Sequence, residues 1–248
     1  MNMPLIVGQD VIPEAQCVID VAHALEGHGG VVLLSHVAGV LGQEIPEGST
    51  IYNLEPLFSG CRSLQLGYLD VLRKFPVWDY QARNVEFLAS HGIEATHVPY
   101  GYSKRLEREP SGSTKDIEIL FVGSSSPRRE KILNRVSDVA PVTWVRTCYG
   151  EDLDRVIQRA KVVLNVHYTD RPHPLEVVRL QYLMANQCFV ISERGWDDEE
   201  NEKYEPGLVF SDDLAASCSH WLASDRFATE QNARRVARAM PLRPPTIH

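Results

Sequence analysis

Residues Gly123, Ser124, Ser125 and Ser126 close an apolar run at 117–122 and lead into a helical pattern that opens with Arg128 and Arg129. A small-residue loop at the carboxyl end of a strand offers backbone N–H groups, hydroxyls and the positive end of a helix dipole. Two guanidinium groups at the same point add charge and paired donors. This combination suits a phosphate or diphosphate; the plainer alternative is an N-capped helix with surface arginines. Asn165 and His167 end a second apolar run at 162–167, and Ser192 and Glu193 end a third at 189–193. Glu176 and Arg179 stand three apart near the start of the helical pattern between those runs. A carboxylate there can accept hydrogen bonds from sugar or ribose hydroxyls, and the arginine can bind phosphate or hold the glutamate. The rival reading is a helix-surface ion pair worth ~0.3–0.5 kcal/mol, with His167 a satisfied structural histidine and Ser192-Glu193 a cap.

Other chemistry is absent or weak. The sequence has no GxxxxGK[ST] loop and no GxGxxG turn, which disfavours a P-loop nucleotidase and a dinucleotide-dependent dehydrogenase. The acidic run at 196–202 reads as a solvated loop, and no metal site is assigned to it. Asp152-Leu153-Asp154 opens a helical pattern, where carboxylates suit the helix dipole. Asp10, His36 and Glu55 each follow an apolar run and are the candidates for a general base. Trp78 and Tyr80 read as core packing rather than stacking platforms.

These residues need a scaffold of strands delivering loops at one edge. Short apolar runs at 4–8, 31–36, 50–55, 76–80 and 95–102 read as strands, with helical patterns from Pro13, at 64–72 and at 82–91. The polar stretch 104–115 lacks an apolar period and is the best linker. Strand and helix then alternate again: strands at 117–122, 142–146, 162–167, 189–193 and 208–210; helices at 128–139, 153–160, 175–186, 213–223 and 226–240. Apolar strands alternating with helices mean parallel, doubly wound sheets covered on both faces. The expected fold is therefore α/β, with two Rossmann-like domains at 1–104 and 105–240, facing across a cleft, and a proline-broken tail at 241–248.

The chain has 248 residues, a formal net charge of -8, 44% hydrophobic and 23% charged residues, the profile of an ordinary globular protein. An acidic balance disfavours a general nucleic-acid surface. Five scattered cysteines without CxxC read as reduced core thiols. No signal peptide and no apolar run of spanning length is visible, so a cytoplasmic protein is expected.

The order of three segments resembles the GT-B glycosyltransferases. VPYGYSKRLE (98–107) is similar to their strand-to-hinge segment, and DIEILFVGSSSPRREKIL (116–133) to the opening strand and phosphate-side loop of their nucleotide-sugar half. AKVVLNVHYTDRPHPLEVVRLQYLMANQCFVISE (160–193) looks like their donor-binding turn, helix and following strand. The resemblance spans about 75–240 and implies a metal-independent hexosyl- or pentosyltransferase. It would use a nucleoside-diphosphate sugar as co-substrate, need no cofactor and act on a hydroxyl acceptor. Gly123, Ser124, Ser125, Arg128, Arg129, Asn165, His167, Glu176, Arg179 and Glu193 are the implied donor contacts. The acceptor is open between a glycan intermediate, a small metabolite and a modified DNA base. One departure stands out: the two glutamates many retaining members carry, eight apart, fall on His173 and Gln181. A non-catalytic nucleotide-sugar or sugar-phosphate binding module, or a nucleotide-sugar epimerase, are the alternatives.

Overall fold

The computed structural model describes residues 6–7, 31–34, 45, 47–59, 61, 64, 67–108, 114–171 and 173–224. The chain divides after Gly101 into two compact units. Each contains a five-stranded sheet whose neighbours all pair in parallel.

In the first unit the strands β1 (Ile6–Val7), β2 (Val31–Leu34), β3 (Thr50–Asn53), β4 (Val77–Asp79) and β5 (Ala95–His97) lie side by side in chain order. Helix α1 (Tyr68–Leu72) is entered through Gly67 at φ 74, a left-handed backbone that glycine adopts without a Cβ clash. Helix α2 (Ala82–Ser90) ends before Gly92, at φ 72. Ile51, Leu57, Tyr68, Leu72, Val77 and Leu88 form the core on one face of this sheet. Trp78 is buried and meets Tyr52 edge-on, with ring centroids 6.2 Å apart, which makes it a core residue. The helix expected from Pro13 and the one at 226–240 lie outside the described residues.

The second unit contains β6 (Ile117–Val122), α3 (Pro127–Ser137), β7 (Val142–Val145), α4 (Gly150–Arg159), β8 (Ala160–Asn165), α5 (Val177–Ala185), β9 (Val190–Ser192), α6 (Asp198–Tyr204), β10 (Val209–Phe210) and α7 (Leu214–Leu222). The sheet order is β10-β9-β8-β6-β7. In order of appearance this is the arrangement 2-1-3-4-5, in which the winding reverses between the first and third strands. The reversal therefore falls between β6 and β8. Ile119, Phe121, Leu133, Val162, Leu164, Phe189 and Ile191 are buried together and fill the space between sheet and helices.

Two expectations are corrected. The stretch at 104–115 is not a free linker along its whole length. Lys104–Leu106 form a 3-10 turn, Leu106 is fully buried, and its carbonyl accepts from Asn186 Nδ2 at 2.9 Å. The Arg108 N–H donates to Asn186 Oδ1 at 2.6 Å, and its guanidinium pairs with Asp154 at 3.0 Å, so 102–108 pack with the second unit. The acidic run at 196–202 is also not a loop. Asp197 caps α6 by accepting from the Glu200 N–H at 3.1 Å, and three acidic residues occupy the first turn, where the helix dipole favours them. Asn201 is fully buried and exchanges bonds with the Gly195 backbone at 2.8 and 2.9 Å, which fastens the helix to the loop after β9.

Candidate functional site

The loops after β6 and β8 meet across the point where the sheet reverses. Gly123 leaves β6 at φ 154 with its N–H on the Val145 carbonyl, while the Gly123 carbonyl accepts from the Trp144 indole N–H at 2.8 Å. A Cβ at this position would stand 3.2 Å from both Arg129 Nη1 and the Phe121 ring, so any side chain here is crowded as well as strained. Ser124 and Ser125 are exposed. Ser126 caps α3 by accepting from the Arg129 N–H at 3.2 Å, and its hydroxyl donates to the Tyr168 carbonyl at 2.8 Å. Pro127 at the first helical position has no N–H to leave unpaired.

The two adjacent arginines do different work. Arg129 is 5% exposed. Its Nε and Nη2 donate to the Val166 carbonyl at 3.0 and 2.8 Å, and Nη1 donates to the Ser124 carbonyl at 3.0 Å. It ties the two loops together from within, and among the described residues no carboxylate forms an ion pair with it. Burial first, and then the nearby Arg179, lower its pKa to about 10, so it remains a cation at neutral pH. Arg128 sits on the outer side. It grips both oxygens of Glu193 at 2.8 and 2.5 Å, donates to the His167 carbonyl at 3.1 Å and reaches exposed Asp170 at 2.7 Å. Glu193 also accepts the His167 N–H at 2.7 Å. The sequence reading gave both guanidiniums to a ligand; the geometry makes Arg129 an internal brace and Arg128 one arm of a bidentate pair.

Asn165 and Ser192 are register partners at the ends of β8 and β9 and are both fully buried. Asn165 Nδ2 donates to Ser192 Oγ at 3.0 Å and to Glu176 at 2.8 Å, and its Oδ1 accepts from Arg179 at 3.2 Å. Glu176 accepts His167 Nδ1 at 2.9 Å, while His167 Nε2 faces the Arg194 carbonyl at 2.8 Å. Burial alone would raise the Glu176 pKa; the His167 hydrogen bond and charge outweigh it and hold the group at about 2. An ionised carboxylate and a carbonyl are acceptors only. Both ring nitrogens of His167 must then carry protons, and the ring is an imidazolium. Burial opposes that charge, but Glu176 lifts the His167 pKa above its ordinary value. Thus Arg128, Arg129, Arg179 and His167 outnumber Glu176, Glu193 and Asp170, and the loop cluster is cationic in a chain of formal net charge -8.

His173 stacks on His167, with centroids 5.1 Å apart and planes at 27°. With Glu176 they bring two imidazoles and a carboxylate within 4.8 Å, a set able to take a metal ion. With both His167 nitrogens protonated and His173 Nδ1 facing the Pro174 carbonyl at 2.7 Å, a metal ion would first have to displace those protons and bonds. Gln181, the other position where the resemblance expected a carboxylate, is buried and donates to the Tyr204 hydroxyl at 2.7 Å. Asp154, of Asp152-Leu153-Asp154, is a structural tie, bonded to Tyr182 and Arg108.

The first unit holds a polar network that the sequence did not announce. Asn53 and Asp79, register partners at the ends of β3 and β4, are both fully buried. Asp79 accepts from Asn53 Nδ2 at 2.7 Å, the Gln81 N–H at 2.9 Å and Asn84 Nδ2 at 3.0 Å. Tyr68 donates to Asn53 Oδ1 at 2.6 Å. Burial pushes the Asp79 pKa up to about 7 against these donors. Glu55 is half-buried beside this network. Its backbone carbonyl accepts from Asn53 and Asn84 at 2.9 and 2.8 Å, and its charge helps raise the Tyr68 pKa. Asp10 and His36 lie outside the described residues. Cys61, Cys148, Cys188 and Cys218 are free thiols, and Cys188 and Cys218 are pushed up to about 12 by burial. Among the described residues no helix is long and apolar enough to cross a membrane.

A parallel sheet in the order 2-1-3-4-5, with a glycine-led loop and helix start at its reversal, defines the second unit as a Rossmann-type fold. The fold is similar to that of solved GT-B glycosyltransferases. The structure of Anabaena Alr3699/HepE in complex with UDP and glucose matches over 96% of this chain and 94% of its own, with a TM-score of 0.57 and 12% identity. The structure of TarM matches over 84% of this chain and 51% of its own, with a TM-score of 0.53 and 8% identity. No family model matches the chain. Curated relatives come from Acanthamoeba polyphaga mimivirus. Uncharacterized protein L140 is 23% identical over 177 residues, 66% of this chain and 58% of that protein. Uncharacterized protein L138 is 28% identical over 145 residues, 56% of this chain and 16% of that protein. The chain thus spans a little over half of one and about a sixth of the other.

Proposed function

We propose that this protein transfers a sugar from a nucleoside-diphosphate donor to a hydroxyl acceptor, with protein cations rather than a metal ion countering the leaving diphosphate. The observation that carries the reading is the cationic loop pair at the reversal point between β6 and β8, where open α/β sheets bind ligands. The diphosphate lies against Ser124, Ser125 and the start of α3, within the field of Arg128 and Arg129. Glu176, fixed by His167 and Asn165, presents a carboxylate that is ionised at neutral pH for sugar or ribose hydroxyls. Arg179 fixes Asn165 from the other side. Glu55 is our candidate for the acceptor-side carboxylate. Because UDP is bound in the HepE structure, UDP-sugars are the first donors to try.

A non-catalytic binding module is the second reading, because His173 and Gln181 stand where many retaining enzymes have carboxylates. Thermal shift against UDP, GDP, TDP and CMP sugars separates the cases. A ligand at a hundred times its Kd adds about 2.7 kcal/mol to the folded state and raises Tm. Binding followed by slow, chelator-insensitive release of nucleoside diphosphate supports the transferase. Binding without release supports the module, and an isomerised donor supports an epimerase. No shift with any of these ligands rejects all three.

A further inference from the structure

Tyr168 follows the end of β8 and is 46% exposed, an unusual position for an aromatic ring in a site otherwise built of polar groups. It is not loosely held. The Arg129 guanidinium carbon lies 5.2 Å from its ring centroid and 5.1 Å from that of Phe121. Phe121 is fully buried in the sheet core. The three groups form a column: a core ring, a buried cation and an outer ring. The Tyr168 carbonyl is pinned by the Ser126 hydroxyl at 2.8 Å, and Arg129 holds the preceding turn through the Val166 carbonyl. The outer ring is therefore presented rigidly beside the loop that would take the diphosphate. Every nucleobase has a face that stacks on such a ring, and a fixed aromatic loses little freedom on doing so.

We infer that Tyr168 is the stacking platform for the nucleobase of a nucleoside diphosphate whose phosphates lie at Ser124 and Ser125. The inference rests on the function proposed above and adds how the base is read. Stacking is tolerant of base identity, so the platform supplies affinity, and the choice between bases falls to polar groups at the ring's edge.

The test is calorimetric titration of the full chain, as wild type, Y168A and Y168F, with UDP, ribose 5-diphosphate and inorganic pyrophosphate. Y168A weakens UDP about tenfold or more, the scale of losing one base–aromatic stack. It leaves ribose 5-diphosphate and pyrophosphate within twofold, and Y168F binds all three as wild type does. Unchanged UDP affinity in Y168A overturns the inference. So does an equal loss for all three ligands, which would mean that Tyr168 acts by holding Arg129. A loss for UDP and ribose 5-diphosphate alike would put the sugar on the ring and overturn the base assignment. If wild type binds none of the three, the nucleotide-binding function falls and the platform with it. Should Y168A melt below the assay temperature, Y168L, which keeps bulk over Arg129, is measured in its place.

Discussion

Replacing Glu176 by glutamine removes one charge from a buried pair while keeping the side chain's shape. The carboxylate sits at about 2 against an ordinary 4.5, a difference worth about 3 kcal/mol of folding free energy. Breaking a buried pair from one side typically costs about 3–5 kcal/mol, so the two routes agree. The His167 shift reports the same contact and is not added. A carboxyl whose folded pKa is lowered contributes stability that is present above 4.5 and lost as pH falls toward about 2. His167 is raised, so its contribution is complete below 6.5 and fades as pH climbs through the folded value. The stability gap between wild type and E176Q should therefore be widest between those limits, at about 3 kcal/mol, and should close in acid. In E176Q the neutral amide no longer offsets the ring's charge, so burial lowers the His167 pKa from its wild-type position. Urea melts from pH 2.5 to 8 read the gap, and NMR titration of the His167 ring reads the proton. A gap that stays constant from pH 6 to pH 2.5, or a ring titration unmoved by the substitution, would refute the imidazolium–carboxylate account.

Three further outcomes follow from local geometry. G123A should lose about 1–3 kcal/mol in urea melts, because its Cβ meets Arg129 and Phe121 at 3.2 Å on a backbone side chains rarely adopt; a loss under half a kcal/mol would contradict that packing. S126A should lose about 1–2 kcal/mol by removing the α3 cap, together with the tie to the Tyr168 carbonyl; amide exchange at the start of α3 checks it, and unaltered protection there would count against the cap. Asp79, raised from 3.8 to about 7 by burial, makes the folded state bind the extra proton, so its contribution falls as pH rises from about 4 to 7. D79N should gain on wild type across that interval in paired melts, and parallel curves would show that the group does not titrate there.

The strands and most helices were legible because runs such as 117–122 and 160–165 are apolar and buried almost throughout. Helix α6 was missed although Asp197 and Glu200 stand at capping-box spacing; the weight of negative charge hid a helix start. Glu176, His167 and Asn165 could be picked out as polar residues in apolar surroundings, but which atom each one bonds depends on partners up to 27 positions away. Arg128 and Arg129 are alike in sequence, yet successive helical residues point about 100° apart, so one meets Glu193 and the other turns inward to Val166. The Asn53–Asp79–Asn84 network joins residues 26 and 5 apart and leaves no local pattern to read.

The margins of the second sheet have a consequence for how the protein behaves in a crowded solution. Among the described strands β10 is an outermost member and only two residues long, too short to template another chain. On the opposite border β7 is followed by Arg146, whose guanidinium lies 4.3 Å from the Trp144 ring centroid and stations a positive charge at the strand's exit. Open backbone donors and acceptors invite fibrous self-association; here one border offers almost none and the other is guarded by a cation.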